Sequence, residues 1–224
     1  MGLDVGLTKA EQKRNKRWID FTEVSMRRLA VPSLALIAAS AALPARASLA
    51  PGPAVRVEDA AFARAVQVDD ETLRLAGAGL FRWKVIFKVY TAAWYVGEGH
   101  DPRDVEADVP RRLEVSYLVD IEGPDFGKAA WKILRENHPP EVLAPLAERM
   151  EALHRAYRDV RPGDRYALTY LPGRGLELSL NGEPLAVVPG ADFARLYYSI
   201  WLGERPISRD LRAALIGEDL RASR

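Results

Sequence analysis

Residues 77–96 run Gly77-Ala78-Gly79-Leu80-Phe81-Arg82-Trp83-Lys84-Val85-Ile86-Phe87-Lys88-Val89-Tyr90-Thr91-Ala92-Ala93-Trp94-Tyr95-Val96. Phe81, Trp83, Val85, Phe87 and Val89 alternate with Arg82, Lys84, Ile86, Lys88 and Tyr90, a period of two rich in aromatic and β-branched residues. This predicts a strand from Phe81 to Tyr90 that continues or bends into 91–96. Before it, Gly77-Ala78-Gly79 reads as a turn after a short strand over 72–76.

Moving outward, Leu113, Val115, Tyr117 and Val119 alternate with polar neighbours and predict another strand. The period then changes. Gly123-Pro124-Asp125 starts a helix with Phe126, Ala129, Ala130, Ile133 and Leu134 on one side, and His138-Pro139-Pro140 ends it. A second helix is predicted over 144–160, with Pro145 tolerated in its first turn and Leu146, Met150, Leu153 and Tyr157 as its apolar stripe. Strands follow at 165–171 and 176–180, and Asn181-Gly182 is a two-residue hairpin turn into a strand at 185–188. Helices over 192–202 and from a Ser208 cap to Leu215 close the chain. Strands and helices are segregated rather than alternating, which predicts an α+β fold, a largely antiparallel sheet covered by helices.

The 224 residues carry 32 Lys+Arg against 31 Asp+Glu and no cysteine. A disulfide framework, thiolate metal sites and a cysteine nucleophile are thereby excluded. The near-neutral balance hides an asymmetry. Residues 1–47 hold eight basic and four acidic residues, leaving 24 basic against 27 acidic in the remainder. A mildly acidic body has no electrostatic preference for a polyphosphate, so no nucleic-acid partner is expected.

The basic excess belongs to a targeting segment. Met26-Arg27-Arg28 precedes an apolar run from Leu29 to Leu43, and Ala45 and Ala47 are small residues at the −3 and −1 positions. This is the pattern of a secretory signal peptide over 26–47, cleaved after Ala47, and it places the mature protein in the periplasm or outside the cell. The run is shorter than the roughly 20 residues a spanning helix needs, so no membrane span is expected after cleavage. Because the signal is complete from Met26, residues 1–25 read as a gene-model extension, with a genuine extended signal as the alternative. Residues 48–224 form one domain, entered through a Pro- and Gly-containing linker at 48–53.

Few residues offer chemistry. His100, His138 and His154 show no metal-ligand spacing and read as surface or structural histidines, so neither a metal site nor a cofactor is expected. No nucleophile elbow or phosphate-binding loop is present. Asp69-Asp70-Glu71 and the pair Glu148 and Glu151 have polar neighbours that give no reason for raised pKa values. What stands out is the second face of the Phe81–Tyr90 stretch, with Arg82, Lys84, Lys88 and Tyr90. Under a helical layer Arg82 would need an anionic partner, since burying an unpaired guanidinium is costly.

At these residues the chain resembles the chalcone isomerase superfamily and its bacterial chalcone isomerase-like members. The matching stretches are Gly77-Ala78-Gly79 with Arg82; Phe87-Lys88-Val89-Tyr90 through Trp94-Tyr95-Val96; Gly123-Pro124-Asp125-Phe126; and Tyr198-Ser199-Ile200-Trp201-Leu202-Gly203-Glu204 with Pro206-Ile207-Ser208 and Asp210-Leu211. The resemblance implies an open-faced β-sandwich, a large antiparallel sheet under a helical layer, with a ligand cleft between them. It also implies that Arg82 stands where the enzymes carry the arginine that stabilises a phenolate and the developing enolate. Tyr90, Phe126, Ile133 and Ile200 fall where the enzymes carry threonine, tyrosine, asparagine and threonine. Three of these four cannot hydrogen-bond through their side chains.

The expected function is therefore an exported, non-catalytic protein that binds a fatty acid or similar apolar carboxylate, with Arg82, Tyr90, Phe126, Ile133 and Ile200 as ligand contacts. The alternative is an isomerase or lyase acting on a phenolic or anionic substrate, with Arg82 as electrostatic stabiliser and Tyr90 as acid or base. A third reading is a structural or interaction role without a small ligand.

Overall fold

The alternation that starts at Phe81 belongs to two strands, not one. In the computed structural model, which describes residues 54–84 and 86–218, β4 (Glu71–Trp83) and β5 (Phe87–Gly97) pair antiparallel and the chain reverses between them. Lys84 takes the left-handed conformation in this reversal, φ 48°. The bend contains no Gly, Pro or Asn, so it lacks the usual turn signal, and alternation alone does not distinguish a strand from a hairpin of two alternating arms. Residues 1–47, including the expected signal peptide, lie outside the described residues.

Gly77 and Gly79, expected as a turn, sit inside β4. A Cβ at Gly77 would stand 2.0 Å from the Ala214 carbonyl oxygen, and one at Gly79 would stand 2.7 Å from the Ala214 Cβ. These glycines let a helix lie directly on the strand, the second reason a strand carries glycine.

β4 and β5 are the centre of one side of a seven-stranded antiparallel sheet. Its order is β3 (Ala65–Val68), β4, β5, β6 (Arg111–Tyr117), β7 (Arg165–Leu171), β8 (Gly175–Leu180) and β9 (Glu183–Val188), each strand beside its neighbour in sequence. Asn181 and Gly182, both at positive φ (52° and 88°), make the two-residue turn between β8 and β9. A separate hairpin precedes the sheet, β1 (Ala54–Val57) paired with β2 (Ala60–Ala63). Neither it nor β3 was predicted, because each strand is four residues long, the shortest run in which an alternation can register.

The helices are α1 (Gly123–Asn137), α2 (Pro140–Leu143), α3 (Ala147–Ala156), α4 (Ala191–Leu202) and α5 (Arg209–Leu215). The single helix expected over 144–160 is divided. α2 precedes it and a 3-10 turn spans Ala144–Leu146, where Pro145 lacks the N–H that an α-helical ladder needs. It ends at Ala156, beyond which Val160 forms a bridge with Ile121. Ser208 caps α5 as expected, its hydroxyl accepting the Leu211 N–H at 3.2 Å.

The sheet has a core on each side. Trp94, Leu113, Leu168 and Leu178 pack with Leu134, Met150, Tyr197 and Leu211 of the helices. On the opposite side, Ala60 and Phe62 of the hairpin pack with Leu73, Ala93 and Tyr95. The architecture is α+β, a large curled antiparallel sheet with a helical layer on one face.

Candidate functional site between sheet and helices

The register of β4 on β5 decides what faces the helices. Phe81 pairs with Tyr90, but a slip follows, so that Arg82 pairs with Lys88. Phe81 thus joins the helix-side core and stacks on Tyr90 with ring centroids 4.8 Å apart. Arg82 is exposed and reaches the turn of the β1–β2 hairpin instead, 4.0 Å from the Glu58 carboxylate, which also takes a 2.6 Å ion pair from Lys88. The expectation of Arg82 beneath the helical layer is corrected. Arg82 follows Phe81 and takes the opposite face by plain alternation, and the slip in β5 carries Lys88 to the same side; Arg82 and Tyr90 share a face in the sequence pattern only when the reversal between them is not seen.

The other four expected contacts belong to the helix-side core. Tyr90 and Ile200 are buried in it, and Phe126 and Ile133 of α1 pack against it half-buried. Trp201 of α4 donates its indole N–H to the Tyr90 oxygen at 3.0 Å. Tyr117 links Tyr90 (5.9 Å, edge-on) to Phe126 (5.5 Å, edge-on), and Phe126 stacks on Tyr157 at 4.8 Å. The Tyr157 hydroxyl lies 3.0 Å from that of Tyr197. Phe81, Tyr117, Tyr157, Tyr197 and Trp201 were not singled out from the sequence as contacts. Their one signal was the density of aromatic residues, which does not say which rings will meet.

Burial sets the chemistry of these groups. It pushes the Tyr90 phenol far above its ordinary value, and the Trp201 hydrogen bond offsets this only in part. Tyr117, Tyr157 and Tyr197 are pushed up for the same reason. These hydroxyls stay protonated at any physiological pH, which suits them as hydrogen-bond donors and not as bases. His154 of α3 borders the cluster, and burial lowers its pKa to about 4, partly offset by Glu151.

A groove of about 560 Å³ lies apart from this cluster, between α2 and α4, with His138, Leu146, Arg195, Leu196 and Ser199 in its lining. His138 Nε2 is 3.1 Å from Ser199 Oγ, while the Ser199 hydroxyl donates to the Leu196 carbonyl at 2.6 Å. With its proton committed to the helix backbone, Ser199 receives a hydrogen bond from the imidazole and is not activated by it.

Residues 54–217, which hold the sheet and its helical layer, match the chalcone isomerase-like family. The chain belongs to the chalcone isomerase-like family. Within this chalcone isomerase-like domain the match covers the β1–β2 hairpin as well as the sheet and the five helices of the described residues. Among solved structures it is similar to the fatty-acid binding protein of Arabidopsis thaliana. The TM-score is 0.58 at 16% identity, and the alignment covers 74% of this chain and 97% of that one. At that identity the likeness shows a shared fold. No curated protein sequence matches the chain.

Proposed function

We propose that this chalcone isomerase-like protein binds a fatty acid or similar apolar carboxylate between its sheet and helices without transforming it. The observation that carries this reading is the Tyr90 hydroxyl. Trp201 donates to its oxygen, and burial keeps the phenol protonated, so its hydroxyl can donate to an acceptor in an apolar layer. A carboxylate oxygen is such an acceptor, and an acyl chain would lie along Phe81, Phe126, Ile133 and Ile200 in place of ring contacts worth about 0.5–1.5 kcal/mol each. That the similar Arabidopsis structure is named a fatty-acid binding protein supports the ligand class. The isomerase or lyase alternative loses its electrostatic stabiliser, since Arg82 lies with the hairpin, and Tyr90, held protonated, could serve it as an acid but not as a base.

Export to the periplasm or beyond is part of the proposal, supported by the basic, apolar and small-residue pattern of 26–47. Mass spectrometry of the N-terminus of the secreted fraction should begin at Ser48; a chain retaining Met26 to Ala47 would refute it. For the ligand, native mass spectrometry and fatty-acid titration of detergent-free protein should show one bound acyl carboxylate. Loss of a hydrogen bond to a charged group predicts about tenfold or weaker affinity in Tyr90→Phe. Arg82→Ala should bind as the parent does. Equal affinity in Tyr90→Phe would remove Tyr90 from the site, and loss in Arg82→Ala would return Arg82 to it.

A further inference from the structure

His154 is a buried group that the ligand contacts named above leave unused. α1 closes one edge of its ring, since a Cβ at Gly127 would stand 2.9 Å from the His154 Cβ, Cγ and Nδ1. Nε2 belongs to the opposite edge, and it is buried without a hydrogen-bond partner among the described residues. Trp131 covers the ring edge-on at 6.1 Å, with its indole N–H donated to Glu151 at 2.7 Å. On the side of the aromatic layer stand Tyr157 and Tyr197, 6.4 and 6.0 Å from the imidazole. Their hydroxyls share one hydrogen bond, which uses one of the two phenol protons, and the other has no acceptor among the described residues. An unmet imidazole nitrogen and an unmet phenol proton therefore border the layer in which the acyl chain is proposed to lie. In an apolar setting both are costly to leave unpaired.

We propose that the acyl ligand carries an alcohol along its chain, which hydrogen-bonds His154 Nε2 and the Tyr157–Tyr197 hydroxyl pair. Such a site rests on the ligand-binding reading and narrows its ligand class to hydroxylated fatty acids. An alcohol suits the place because it both donates and accepts. It meets Nε2 in either tautomer, donating to the lone pair or accepting the N–H, and its oxygen takes the spare phenol proton. A carbonyl lacks the donor, and a methylene leaves both groups unmet. The imidazole is neutral at pH 7, because burial lowers its pKa to about 4 and Glu151 offsets this only in part. A second carboxylate would therefore find no cation there. Trp201 links this place to Tyr90, its ring 6.1 Å from that of Tyr197 and its N–H on the Tyr90 oxygen. Carboxyl and alcohol are thus held at two places along one chain.

The test is titration of the detergent-free full-length chain at pH 7 with octadecanoic acid and with its isomers hydroxylated at successive carbons. At least one isomer should bind about tenfold more tightly than the plain acid, the effect of pairing a buried polar group. His154→Phe should remove that gain and bind the plain acid as the parent does, while Tyr90→Phe should weaken plain and hydroxylated acids by the same factor. His154→Gln, which keeps a polar side chain at the place, should retain part of the gain. Tyr197→Phe, which breaks the hydroxyl pair, should lose part of it, so the result does not hang on the folding of one variant. Equal affinity for the plain acid and every isomer, or a gain that survives in His154→Phe, would overturn the proposal and leave the ligand-binding reading standing. No binding of any of these acids would overturn both.

Discussion

His154 shows how one side chain converts burial into pH dependence. Its ring lies 6.1, 6.4 and 6.0 Å from Trp131, Tyr157 and Tyr197, and its Nε2 is buried without a hydrogen-bond partner. Gly127 makes the room, since a Cβ there would stand 2.9 Å from the imidazole. The folded pKa, about 4, lies below the ordinary 6.5, so between these values the unfolded chain holds the extra proton and stability rises with pH. Urea denaturation should therefore show on the order of 3 kcal/mol lost as pH falls from 7 to 4. His154→Phe should flatten that part of the profile, and an unchanged slope would place the titration elsewhere. The sequence shows a histidine among charged neighbours in a helix, which reads as a surface or structural residue without deciding between the two. That the ring turns inward was not legible, because it sits at the border of the stripe formed by Leu146, Met150 and Leu153.

Between elements, the contact most sensitive to a single atom is that of α5 on β4. Gly79→Ala would press a methyl against the Ala214 Cβ and bring it within 3.2 Å of Leu211 Cδ1, an overpacking expected to cost about 1–3 kcal/mol. Ala214→Gly removes the opposing methyl, so the double variant should lose less than the two single variants together, measured as a double-mutant cycle in urea. Strict additivity would show that α5 does not press on the strand. Gly77→Ala has no such remedy, because its methyl meets backbone oxygens of Ala214 and Leu215. The Gly-rich stretch reads as a turn in the sequence and is strand in the structure. That its glycines admit a helix depended on a segment more than a hundred residues away.

For the whole molecule, the sheet holds two cores, and the smaller depends on a hairpin attached early in the chain. Phe62 is fully buried there, with the Arg165 guanidinium 4.9 Å above its ring and donating at 3.2 Å to the Ala61 carbonyl. Phe62→Ala should weaken the hairpin's hold by about 3 kcal/mol, roughly a hundredfold in its opening equilibrium. Amide exchange should then accelerate over 54–63 before the central strands respond; uniform acceleration would mean the hairpin and sheet unfold as one. The sequence by itself determined the α+β composition, the order of β6 to β9 and their helices, the Asn181-Gly182 turn and the Ser208 cap. These rest on local periodicity and on backbone chemistry within a few residues. Only the tertiary structure decided that residues 81–90 reverse, that Phe81 rather than Arg82 meets Tyr90, and that Trp201 supplies the phenol's partner. Alternation records sidedness within one strand but neither a reversal nor a slip, and burial arises from pairings between residues far apart in the chain.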